Sequence, residues 1–300
     1  MPEASCIRCA RRTPWYCLLG NGLLSAFQII VGIISGSSAL VADGSHTFTD
    51  VIGTISVLVS RAISSNPADD EHHYGHGKVE FMSSAFVYII LIFLSAAIFV
   101  GGVLMIVHDR YRKPEPIALL ASCVSILVNG LMYNLGMCAG KRTNSPALLA
   151  NAFENRADAL SAMAVVVGVS ASVLIHPIFD PIAAMLVGVH IFLNAVAQLK
   201  TSAAGLMDKA LPPEYVARIR GVVRQQDGVD SVAFIKTRQT GSNYWVDVGI
   251  RVDGSCNVCE SEAIAANVRA ELMRRSEKID SVTVFISPRV VMVPSKSPES

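Results

Sequence analysis

Apolar residues gather into six long runs, at positions 15–35, 39–62, 81–107, 117–138, 146–175 and 179–199. Each reaches the roughly 20 residues that an α-helix needs to cross a hydrocarbon core. Short polar segments separate them, so six transmembrane helices are expected after a polar lead at 1–13. Ser145 then Pro146 reads as the N-cap and first position of the fifth helix. The first run is too long for a signal-peptide core and no small-residue cleavage pattern follows it, so it is expected to be retained. Beyond position 205 the pattern changes. Positions 212–226 place Val216, Ile219, Val222 and Val223 on one side of an amphipathic helix. Two alternating segments, 231–238 and 244–252, read as strands around a Gly241-Ser242-Asn243 turn. A second helix at 260–275 and a last strand at 281–287 complete the order αββαβ. That order predicts a small open sheet with two helices on one face, a ferredoxin-like or metallochaperone-like α+β domain. The expected organisation is a lead at 1–13, a six-helix transmembrane domain at 14–204, the α+β domain at 205–290 and a disordered tail at 291–300.

Composition agrees with the membrane class. Of 300 residues, 52% are hydrophobic and only 16% charged, with a mean hydropathy of +0.46, against roughly 25% charge in soluble domains. The deficit falls before about position 205. A net charge of +1 and scattered basic residues exclude an electrostatic nucleic-acid binder. With the N-terminus cytoplasmic, the inner segments carry Arg8, Arg11, Arg12, Arg61, Lys78, Lys141, Arg142 and Lys200, and the outer ones Arg110, Arg112 and Lys113. Both termini, and the α+β domain, are therefore expected on the cytoplasmic side. The cysteines (Cys6, Cys9, Cys17, Cys123, Cys138, Cys256 and Cys259) are odd in number, and some lie in predicted spans. They fit reduced thiols better than a disulfide framework.

Ionisable groups inside the apolar runs carry the candidate chemistry. His46 and Asp50 stand four residues apart in the second run, and Glu154 and Asp158 in the fifth. At that spacing the two side chains of each pair share a helix face. Counted at 1.5 Å per residue, His46 and Glu154 lie ~12 Å from the starts of their helices, and Asp50 and Asp158 ~18 Å. The two helices run in opposite directions, so His46 levels with Asp158, and Asp50 with Glu154, near the middle of a ~30 Å core. Four uncompensated polar groups at that depth would cost several kcal/mol, which favours a common cation over mere helix–helix contacts. One imidazole and three carboxylates form an oxygen-rich shell suited to Mn²⁺, Fe²⁺ or Zn²⁺. Binding to such groups displaces protons. Asp43 shares this face nearer the outer mouth, where a helix-terminal or relay role competes with ligation. No HExxH or GxxxxGK[ST] motif occurs, so neither an intramembrane metalloprotease nor an ATP-driven pump is expected. Secondary transport remains, not enzymatic catalysis, with a membrane metal-binding scaffold as the rival.

The stretches VADGSHTFTD (41–50), DDEHHYGHGKVEF (69–81), ENRADALSA (154–162) and GLMD (205–208) resemble those of a cation diffusion facilitator. The segment NSPALLANAFENRADA (144–159), with the Cys6–Cys9 pair, is most similar to the magnetosome-membrane branch of that family. The resemblance implies a homodimer, or a heterodimer with a related subunit, in a bacterial inner membrane or a magnetosome membrane. It would exchange divalent metal for protons by alternating access. Its four membrane ligands fall on His46, Asp50, Glu154 and Asp158; most members carry His where Glu154 stands, which points to Fe²⁺ rather than Zn²⁺. A second metal site maps to Asp69, His72 and His76 in the loop before the third run, flanked by the acidic Asp70, Glu71 and Glu80. In the α+β domain, Ile264 and Phe285 replace the family's histidines, so its binuclear site is not expected. Trp245 and Asp247 alternate on one strand face as weaker metal candidates, Trp245 more often packing than ligating. Cys256 and Cys259 could join Cys6 and Cys9 in a Cys₄ zinc site, or be four unrelated thiols. No organic cofactor is implied.

Overall fold

The computed structural model describes residues 4–143, 146–276 and 278–288, with side chains left aside at 4–14, 142–143, 146–148 and 150. The chain divides into two compact units, Met1–Val59 with Ser83–Lys200, and Ser60–Met82 with Thr201–Ser300. Six helices occupy the six apolar runs: α1 (Ala4–Ser35), α2 (Ser38–Ser64), α3 (Val79–Val107), α4 (Ile117–Thr143), α5 (Pro146–Leu174) and α6 (Phe179–Leu206). All six are long and apolar enough to cross a membrane. Several outlast their apolar runs: α4 continues past 138 and α6 past 199, because a helix does not stop where the bilayer does. Ser145 and the tail at 291–300 lie outside the described residues.

In the first unit the core is built from small residues. Ala39, Ala42, Ala118, Ala121, Ala183, Ala184 and Ala195 pack with Leu40, Val165 and Ile191, as expected where close backbone approach replaces a hydrophobic driving force. Meanwhile Leu19, Leu23, Ile34, Phe93 and Leu186 are exposed, so the large apolar side chains face outward. The α4–α5 pair depends on Gly136, where an added Cβ would come within 3.0 Å of the Cβ of Ala152. Gly36, at φ +71°, ends α1 in the left-handed conformation that glycine tolerates. The start of α2 is capped from a distance: Asp180, in the first turn of α6, accepts from Ser38 N at 2.6 Å and Ser37 Oγ at 2.6 Å.

The second unit contains α7 (Pro213–Arg224), β1 (Ser231–Thr240), β2 (Asn243–Val252), α8 (Val258–Arg275) and β3 (Ile279–Pro288). The sheet order is β1-β2-β3, with β1 and β2 antiparallel and β2 and β3 parallel. Ile219 and Val223 of α7, with Val268 and Leu272 of α8, pack on Val232, Val246, Val248 and Ile250 in one cluster. This is the expected αββαβ arrangement of an α+β domain. Helix α8 begins two residues before the predicted start. Asn257 accepts from Glu260 N at 2.9 Å while Glu260 Oε2 accepts from Asn257 N at 3.1 Å, a capping box that makes Glu260 the third residue of the helix.

Candidate metal centre

Two clusters of metal-ligating side chains form among the described residues, one in each unit. In the first unit, His46, Asp50 and Asp158 bring a ligand atom each to within 4.8 Å of the others. His46 Nε2 lies 3.5 Å from Asp158 Oδ1. His46 Nδ1 and Asp50 Oδ2 are buried without a hydrogen-bond partner. Neighbouring hydroxyls do not serve them: Thr49 donates to the His46 carbonyl at 2.6 Å and Thr54 to the Asp50 carbonyl at 2.8 Å. Buried polar atoms left unpaired cost free energy. An imidazole with two carboxylates, partly unsatisfied and enclosed by apolar helices, is a donor set that a divalent cation completes.

The predicted fourth member stands apart. Glu154 is exposed and outside this ligand group. On α5 it is Asp158, one turn further along, that meets His46. Asp43 is rotated by about 60° across its three-residue step to His46. It is 3% exposed and outside the ligand group as well. Gln28 Nε2 of α1 donates to Asp43 Oδ2 at 2.5 Å, and Ser125 Oγ of α4 at 3.4 Å. In the sequence Gln28, Ser125 and Asp180 are no more than polar side chains within apolar runs, and only their partners on distant helices give them a role.

In the second unit, the Asp69 carboxylate bridges two imidazoles, Oδ1 to His72 Nδ1 at 3.2 Å and Oδ2 to His76 Nε2 at 3.4 Å. The loop shapes itself around that carboxylate. Asp69 Oδ1 accepts from the backbone of His72 at 2.6 Å and of Glu71 at 3.1 Å, and Gly75, at φ +75°, turns the chain back. Hydrogen bonding from the His72 backbone N–H holds the Asp69 carboxyl below the usual carboxylate range, so it is an anion ready to ligate.

The remaining candidates do not join a metal cluster among the described residues. Trp245 packs instead. Its ring meets that of Tyr74 edge-on with centroids 5.5 Å apart, and the Arg238 guanidinium lies 4.6 Å from its centre. Asp247 sits mid-strand, paired with Lys236 and Thr283 in register. Cys256, just before α8, and Cys259, in its first turn, are free thiols; the side chains of Cys6 and Cys9 lie outside the described residues.

Comparison with known proteins agrees with this layout. The family model for the cation efflux transmembrane domain matches residues 15–207, and that for the cation efflux protein cytoplasmic domain matches 211–289. Magnetosome protein MamB of Magnetospirillum gryphiswaldense is 34% identical over 96% of this chain and 97% of its own length. MamB of a Magnetospira species is 31% identical over 96% and 98%. The manganese efflux system protein MneP of Bacillus subtilis is 29% identical over 93% and 96%. The chain is an integral membrane protein that belongs to the cation efflux family of divalent-metal transporters, the cation diffusion facilitators.

Proposed function

We propose that the protein exports a divalent metal ion from the cytoplasm in exchange for protons, with Fe²⁺ as the favoured cargo and Mn²⁺ or Zn²⁺ as alternatives. The reading rests above all on His46, Asp50 and Asp158, whose ligand atoms converge within 4.8 Å between α2 and α5. Metal entering this cluster competes with protons for the same nitrogen and oxygen atoms, so loading and protonation alternate. Glu154, one turn from Asp158, supplies a further carboxylate when the cargo is held. Its oxygen donor in place of an imidazole favours harder cations. Asp69, His72 and His76 hold a second ion in the loop. The protein acts as a homodimer, or a heterodimer with a related subunit, with both termini cytoplasmic. The names of its MamB relatives support delivery into a magnetosome vesicle. The test is metal-driven proton flux in proteoliposomes, with Fe²⁺, Mn²⁺ and Zn²⁺ compared under anaerobic conditions. Asp50→Ala is expected to abolish flux; unchanged flux rules out the site. Wild-type protein that moves no metal yet still recruits partners is a scaffold, not a transporter.

A further inference from the structure

The turn of α2 just before His46 is gripped on its other side by α1 and α4. Gly44 lies so close to α1 that an added Cβ would meet the Cβ of Gln28 at 2.8 Å and the backbone N of Ile29 at 3.0 Å. Ser25 Oγ donates to the Gly44 carbonyl at 2.9 Å. Gln28 divides its amide hydrogens between Asp43 Oδ2, at 2.5 Å, and Ser125 Oγ, at 2.9 Å. Ser125 Oγ donates to Asp43 at 3.4 Å and accepts from Asn129 Nδ2 at 3.5 Å. Ser25, Gln28, Asp43, Ser125 and Asn129 are all at most 3% exposed. Gln28 Oε1 is left buried and unpaired. The amide is thus oriented by its two donor bonds, at the expense of its own carbonyl.

This network includes one ligand-bearing helix and the helix that packs along the other. Asp43 belongs to α2, three residues from His46. Ser125 belongs to α4, which packs along α5, the helix of Asp158. Helix α4 therefore serves as a common reference for the two sides of the metal cluster. We propose that Asp43, held by Gln28 and Ser125, is a positioning residue for transport: it sets His46 against Asp158 without touching the cargo. The inference rests on the reading of His46, Asp50 and Asp158 as the cargo site. Its role is carried by hydrogen-bond acceptance, not by charge. Two buried donors on Asp43 Oδ2 fix its geometry, and partners one step removed from a metal typically govern roughly 10–100-fold in affinity or activity.

The distinguishing experiment compares Asp43→Asn with Asp43→Ala in full-length protein in proteoliposomes, reading initial proton flux against Mn²⁺ concentration. Asparagine still accepts from Gln28 and Ser125, so Asp43→Asn is expected to keep half-saturation and maximal rate close to wild type. Asp43→Ala is expected to raise half-saturation by roughly 10–100-fold, with a smaller effect on maximal rate. Gln28→Leu is expected to shift it in the same direction, and Gln28→Leu with Asp43→Ala to be no worse than Asp43→Ala alone. Should Asp43→Ala not fold, Ser125→Ala against Ser125→Thr carries the same comparison, threonine rescuing what alanine loses. Asp43→Asn as impaired as Asp43→Ala overturns the proposal, since charge would then be required; so does an Asp43→Ala protein with wild-type kinetics. Asp50→Ala run alongside separates the two readings. If it transports normally, the cargo site itself is wrong; if it is inactive while Asp43→Ala is normal, only the positioning role fails.

Discussion

His46 Nε2 of α2 lies 3.5 Å from Asp158 Oδ1 of α5, the contact through which two helices distant in sequence share one cluster. The separation is too long for a strong hydrogen bond and short enough for one cation to touch both atoms. Asp158→Asn preserves shape but removes the charge that the cation needs. It is expected to weaken metal-driven flux by at least about 100-fold, the upper end of what losing an outer-shell partner costs. Half-saturation for Mn²⁺ in proteoliposomes measures this. An Asp158→Asn protein within a few-fold of wild type would show that the contact is only a helix–helix tie.

Glu154→His replaces a carboxylate with the imidazole found in most of the family. Imidazole is a softer donor, so the site should move toward Zn²⁺ at the expense of Mn²⁺ and Fe²⁺. The expected outcome is a several-fold rise in the Zn²⁺/Mn²⁺ ratio of uptake, with total activity retained. Glu154 is exposed and outside the present ligand group, so an unchanged ratio would mean that it never joins the cargo.

The helices and the αββαβ order were legible because burial in lipid or core demands apolar periodicity, and the chain supplies it without interruption. The proximity of His46, Asp50 and Asp158 was legible too, since depth along a helix is a linear count. Azimuth is harder. Steps of three and four residues are both treated as one face, yet they diverge by about 60° and 40° in opposite senses. The three-residue step turns Asp43 toward Gln28 and Ser125. His46–Asp50 and Glu154–Asp158 share the same four-residue step, yet only the first pair enters the cluster whole, so spacing alone does not decide which ligands converge. Asp180 was beyond reach for another reason. It caps α2 at Ser38, 142 residues away, and no local pattern encodes a cap supplied by another helix. In the α+β domain, Trp245 is a packing residue because Tyr74, from a loop far upstream, comes to lie on it.

On α8, Glu271 accepts from Arg274 Nε at 2.8 Å and Arg275 Nε at 2.6 Å. Arg274 first, then Arg275, holds the Glu271 carboxyl at about 2, down from 4.5. A carboxyl with a depressed folded pKa contributes stability that is present above its unfolded value and is lost as pH falls through the folded one. The contribution should therefore be intact at neutral pH, decline below about 4.5 and be gone near 2. Solvent and salt screen such a surface pair, so the effect is small. Thermal midpoints of wild type and Glu271→Gln in detergent are expected to differ at pH 7 and to converge as pH drops toward 3. A gap at pH 3 as large as that at pH 7 would contradict the linkage.

Trp15 and Trp245 are the two tryptophans of the chain, so Trp15→Phe leaves one indole in a known place. Tyr74 sits between His72 and His76 in sequence and meets Trp245 edge-on at 5.5 Å. Ring pairs of this kind contribute ~0.5–1.5 kcal/mol and depend on orientation. An ion drawing Asp69, His72 and His76 together has to shift Tyr74 with them, and the Trp245 environment changes in turn. Zn²⁺, which does not quench by a redox or paramagnetic route, is expected to shift Trp245 emission in the Trp15→Phe protein. Adding His76→Ala should remove the response, while Asp50→Ala should leave it intact because that residue serves the other cluster. A Zn²⁺ response that survives His76→Ala would instead place its source outside the Asp69, His72 and His76 cluster and overturn the coupling through Tyr74.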